Sequence, residues 1–182
     1  VLIPSFANGR TQDMLIRLYQ NCPELDVHID GMGKSITKLY MENSKYIRDP
    51  KLLSNSWYWS KRVSSKSDRK KALDSDVIIS TSGMLQGGPA IWYLNKLRHN
   101  KNNEIFFTGY QAESTGGRQL QNESKISIFG KETKINLNWK KFAFSTHAGH
   151  KEITDFIYAC DPDEVVIYHS DSRSARPLLI KE

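Results

Sequence analysis

Short apolar runs recur along this chain, each followed within a few residues by a stretch of helical spacing, and this alternation limits the fold more than any other feature. VLI (Val1 to Ile3), LDVHI (Leu25 to Ile29), DVIIS (Asp76 to Ser80) and EIFF (Glu104 to Phe107) read as strands. Between them, TQDMLIRLYQN (Thr11 to Asn21) puts Met14, Leu15 and Leu18 on one helical face, and KSITKLYMEN (Lys34 to Asn43) groups Ile36, Leu39 and Tyr40. GPAIWYLNKLRHN reads as a helix with Pro89 in its first turn. Strands separated by helices of about ten residues predict an α/β fold, a mostly parallel sheet covered by helices on both faces. KISIFG and TKINLNW alternate apolar and polar residues and predict a hairpin around Gly130 and Lys131, and WKKFAFS, a helix near EITDFIYAC and EVVIYH close the series. Ser44 to Leu73 carries mixed signals.

The strand-to-helix turns hold more small and polar residues than a turn requires: PSFANGR, DGMGK, STSGMLQGGP and TGYQAESTGGR. Small residues let a ligand approach the backbone, and free amides at a helix start attract phosphate oxygens. Each glycine taken singly reads as a cap or a tight turn. In a parallel sheet, however, all four turns share one edge and form a groove lined by amides, hydroxyls, Arg10 and Arg118. Asp30, placed before a glycine, reads as a turn former or N-cap, and Trp92 and Tyr93 read as buried.

The net charge of +6 and pI near 9.2 favour a polyanionic partner. Lys61, Arg62, Lys66, Arg69, Lys70 and Lys71 crowd together just after Trp57, Tyr58 and Trp59, the mixture of cations and flat rings that single-stranded nucleic acid uses. A solvated surface segment explains the same run. With 182 residues, 38% of them hydrophobic, one compact unit is the default, with no run near the roughly 20 residues of a membrane span. Val1 opens the chain as if in mid-strand, so a longer parent protein is expected. Cys22 and Cys160 read as two reduced thiols, and a cytoplasmic location is expected.

Two histidines, His147 in FSTHAGH and His169 in VVIYHSD, each follow a strand pattern, where ligands of open α/β sheets collect. Together with FANGRTQ (Phe6 to Gln12), STSGMLQGGPAIWYL (Ser80 to Leu94) and GYQAESTGGR (Gly109 to Arg118), these blocks resemble, in order, those of β-CASP proteins. That family is the nucleic-acid-processing branch of the metallo-β-lactamase superfamily. The resemblance implies a β-CASP RNA-binding domain over residues 1–138 and a partial return segment of the lactamase-like domain over 139–182.

By the same resemblance, His147 acts as general acid at the scissile phosphate and His169 is a zinc ligand. Arg10, Thr81, Ser82, Gly83, Met84, Gly87, Gly88, Arg118 and Ser145 hold the RNA backbone. The family's His-x-His-x-Asp-His run is absent from this sequence. The resemblance therefore implies two zinc ions in a complete enzyme, none retained by this chain alone, and no cleavage without the missing lactamase-like domain. The family usually carries an acid two residues after the first histidine, where this chain has Gly149, and Gly-Glu after the second, where it has Ser170 and Asp171. The implied partner is single-stranded RNA, with no membrane, and a homodimer is left open. A non-catalytic RNA-binding subunit is the alternative. A nucleotide-binding Rossmann-like enzyme is weaker, since PSFANGR supplies only Gly9 of the expected fingerprint.

Overall fold

The computed structural model describes residues 1–144 and 147–166. They form two units, Val1–Phe144 and Ser145–Glu182. The first is built in the order β1 (Leu2–Pro4), α1 (Arg10–Asn21), β2 (Val27–Asp30), α2 (Gly33–Glu42), α3 (Pro50–Trp59), β3 (Lys61–Arg62), α4 (Lys66–Lys71), β4 (Val77–Ser80), α5 (Gly88–Leu97), β5 (Glu104–Phe107), α6 (Gly116–Glu123), β6 (Lys125–Ile128), β7 (Lys131–Lys134) and β8 (Asn138–Lys141).

Six strands make one sheet in the order β3-β2-β4-β1-β5-β8, with every pairing parallel. The α/β architecture expected from the alternation is therefore present. Strand residues divide between the two faces by alternation. Ile3, Val27, Ile29, Val77 and Ile79 meet Met14 and Leu15 of α1 and Trp57 of α3 on one face. Leu2, Ile78, Ile105 and Phe107 meet Ala90, Ile91, Leu94 and Leu97 of α5 and Leu120 of α6 on the other. Both faces exclude water, which accounts for strands that read as apolar runs.

The stretch with mixed signals contains α3, β3 and α4. Asp49 caps α3 by accepting from the Leu52 amide at 2.8 Å, with Pro50 in the first turn, and Ser65 and Asp68 form a capping box on α4. The hairpin is present, but its second strand is KETK, which overlaps only the start of the predicted TKINLNW; the rest of that segment places Ile135 and Leu137 in the core. Its tip is Phe129 and Gly130, with φ of 51° and 80°, the geometry of a two-residue type I′ turn. A further helix, α6, starts on the paired glycines after Thr115, which the sequence showed only as a turn.

β8 pairs with β5 along its whole length, so the contact boundary falls after Phe144, six residues beyond the sequence-derived boundary at 138. The second unit contains α7 (His150–Cys160), whose N-cap residue Gly149 donates its amide to Glu152 Oε2 at 2.6 Å. The EVVIYH strand lies partly outside the described residues. Cys22 and Cys160 are free thiols, and among the described residues no helix is long and apolar enough to cross a membrane.

Candidate nucleic-acid interface at the carboxyl edge of the sheet

The chain leaves β1 through α1 to reach β2, passing over β4, and leaves β4 through α5 to reach β5, passing over β1. These connections run in opposite directions and on opposite faces, which makes the carboxyl ends of β1 and β4 a topological switch point, where open α/β sheets take ligands in a crevice. The segments Phe6 to Gly9 and Thr81 to Gly88, which follow β1 and β4, flank this point. The edge also presents Phe6, Met32 and Tyr110, all exposed apolar side chains, as surfaces on which a base could stack.

The four small-residue turns do share this edge and are joined to one another. Thr81 is the hub: its hydroxyl accepts from the Met32 amide at 3.2 Å, and its carbonyl accepts from the Ala90 amide at 2.9 Å. Ser82 Oγ accepts from the Gln86 amide at 3.2 Å, and the Met84 carbonyl accepts from the Gly117 amide at 2.9 Å. Gln111, wholly buried, donates to the Gly83 carbonyl at 3.0 Å. The first turn is held from below by Thr11, whose hydroxyl donates to the Phe6 carbonyl at 2.7 Å, and by Gln12, which donates to Ala7 and Thr37. Thr11, Gln12 and Gln111 were not singled out from sequence. The signal available was a polar residue in the first helical turn or directly after a strand, which ordinarily reads as solvent-exposed.

Glycine is required where the turns touch. A Cβ on Gly83 would stand 2.8 Å from the Phe6 nitrogen, and one on Gly116 would stand 2.3 Å from the Leu85 carbonyl oxygen, both immovable backbone atoms. Gly87 is different, with extended backbone and no atom within 4 Å of a Cβ. Gly83→Ala and Gly116→Ala are expected to lower stability by about 1–3 kcal/mol through overpacking, Gly116→Ala the more, while Gly87→Ala leaves the thermal midpoint nearly unchanged. Thermal melts of the three variants check the order.

Arg10 sits at the start of α1 with most of its side chain covered. It donates to Asp13 Oδ2 at 2.7 Å and to the Phe144 carbonyl, and lies over the Phe144 ring, which Arg17 also covers at 4.8 Å. Two of its five N–H groups are thus visibly engaged within the protein. Arg118 lies 3.4 Å from Glu113 Oε1, too poorly aligned for a hydrogen bond. His147 is exposed and belongs to the second unit. Ser145 and His169 lie outside the described residues. Among the described residues no group of three or more His, Cys, Asp or Glu could hold a metal ion.

Behind the turns lies a polar cluster that sequence reading took for a simple turn. Asp30, 2% exposed, does accept from the Gly31 amide at 2.7 Å, but it also pairs with Arg69 Nε at 2.6 Å and accepts from the buried Tyr93 hydroxyl at 3.1 Å. Burial, reinforced by the Asp30 charge, pushes the Tyr93 hydroxyl well above its ordinary value of 10.0. Tyr93 therefore stays a neutral donor at any working pH.

A family model of the Beta-Casp domain matches residues 11–120. "RNase aCSPSF2" of Saccharolobus solfataricus is 33% identical over the whole of this chain and 37% of its own length. "Probable RNase MJ4" of Methanocaldococcus jannaschii is 32% identical over 96% of this chain and 42% of its own. A "Transcription termination factor FttA" of the same organism is 33% identical over 94% of this chain and 31% of its own. The chain thus spans between about a third and two fifths of the curated relatives it matches. With that match laid over the parallel sheet and the joined turns at its edge, the chain belongs to the β-CASP family.

Proposed function

We propose that this chain is the RNA-binding and partial active-site module of a metal-dependent ribonuclease of the metallo-β-lactamase type. The observation that carries the reading is the switch point between the carboxyl ends of β1 and β4, the place of the ligand crevice in such sheets, flanked here by the joined small-residue turns. Small residues at this edge let a phosphodiester backbone approach the main chain. Relatives named as ribonucleases support RNA as the occupant. In this reading Thr81, Ser82, Gly83, Met84, Gly87, Gly88, Arg118 and Ser145 face the backbone, His147 is the general acid, and His169 contributes to a zinc site completed by the missing lactamase-like domain. Alone, the chain binds RNA without cutting it. The exposed Ile153, Phe156 and Tyr158 of α7 support a further domain as their neighbour.

The test is fluorescence anisotropy of a labelled single-stranded RNA of roughly 15 nucleotides across a salt series. Affinity is expected to fall steeply with salt, by about 0.7 in logarithmic slope for each phosphate held. The absence of binding at low salt overturns the reading for this chain.

A further inference from the structure

Beyond the crevice, the same edge of the sheet carries a second concave site, a cleft of about 440 Å³ lined by Lys34, Ser35, Lys38, Trp57, Arg62 and Ser64. Lys34 and Lys38 stand one turn apart on α2 and face the same way. Arg62, on edge strand β3, is held by the carbonyls of Trp57 and Ser60 and lies 5.3 Å over the Trp57 ring. Lys34 is held by the Val63 carbonyl. Two of the three cations are thus fixed by backbone oxygens, which position them without cancelling their charge. Two carboxylates stand beside the cleft: Asp30 lies 3.7 Å from Lys34 and is already paired with Arg69, and Asp68 accepts from the Ser64 amide at 3.1 Å within its own capping box. Among the described residues neither Lys38 nor Arg62 is ion-paired. Three cations and two serines line this one cleft, a donor set that matches the oxygens of a phosphodiester.

The cleft also lies next to the turn that leads to Thr81. The DGMGK turn that opens α2 is bonded to Thr81, and a Cβ on Gly31 would stand 2.1 Å from the Thr81 hydroxyl, so the two turns touch. We propose that the cleft between α2 and β3 is a second phosphate subsite, which takes the RNA backbone as it leaves the crevice toward the β3 side of the sheet. This rests on the RNA reading above. Lys66, Lys70 and Lys71 of α4, all exposed, extend the same positive field.

Lys38→Glu tests it, because the side chain is exposed and the fold does not depend on it. Anisotropy is measured with single-stranded RNAs of roughly 6 and 15 nucleotides, beside the charge-matched control Lys101→Glu in the turn before β5, at the opposite edge of the sheet. The expected result is a several-fold loss for the longer RNA in Lys38→Glu, with the logarithmic salt slope lower by about 1, little change for the shorter RNA, and the control matching wild type. Equal losses in both lysine variants, or none in either while wild type binds, overturn the subsite and leave the crevice reading standing. No binding by wild type overturns both.

Discussion

Asp30→Ala is expected to lower the stability of the first unit by about 3 kcal/mol, seen as a fall of roughly 6–12 °C in thermal midpoint. The carboxylate is almost fully buried and serves three donors at once: the Gly31 amide, Arg69 and Tyr93. Removing it strands the Tyr93 hydroxyl, which has no exposure, beside an unpaired guanidinium. Breaking a buried pair by deleting one partner costs about 3–5 kcal/mol, and the lower end applies because Arg69 keeps a third of its side chain exposed and can turn to water. Asp30→Ala/Arg69→Met removes the orphaned charge and should recover part of the loss. Strict additivity of the two single changes, within about 0.5 kcal/mol, would remove the case for a coupled cluster. The cluster joins β2, α4 and α5, so it braces two of the turns that form the edge, and Asp30→Ala should weaken RNA binding without touching a phosphate.

The alternation of apolar runs and helical spacing carried the sheet, because a strand buried on both faces has little choice of composition. DVIIS and EIFF could be placed for that reason. The edge that gathers the turns followed from parallel order alone. α3 and α4 were harder: Asp49-Pro50 and Ser65-x-x-Asp68 are helix starts visible in the sequence, but each opens a short helix crowded with serines, lysines and tryptophans that blur the period. Gly116 and Gly117 read as phosphate-type glycines, and the structural job of Gly116, letting α6 lie against the β4 turn, depends on Leu85, 31 residues away. Asp30 shows the same limit. Its local signal is a turn before glycine, and nothing nearby announces Arg69 or Tyr93. Polar residues that hold a site together through distant partners are legible only once the partners are placed.

His147→Ala in the full-length protein is expected to lower kcat for RNA cleavage by roughly 10²–10⁴-fold, the usual loss when a general acid is removed, with RNA affinity within a few-fold of wild type. β8 is locked to β5, and three residues past its end Phe144 is fixed by the Arg10 bond to its carbonyl, by stacking on Phe142 at 6.0 Å, and by Arg17 over its ring. His147 follows three residues later. Catalysis is sensitive to displacements of about 1 Å. Arg10→Ala therefore separates two jobs for one residue. If Arg10 grips RNA, its loss weakens binding and flattens the salt slope while kcat is kept. If it positions the chain at Phe144, kcat falls and binding is kept, and Arg10→Lys, which cannot bond Asp13 and Phe144 with one planar fork, fails to rescue. Equal kcat for His147→Ala and wild type would instead take the general-acid role away from His147, whatever Arg10 does.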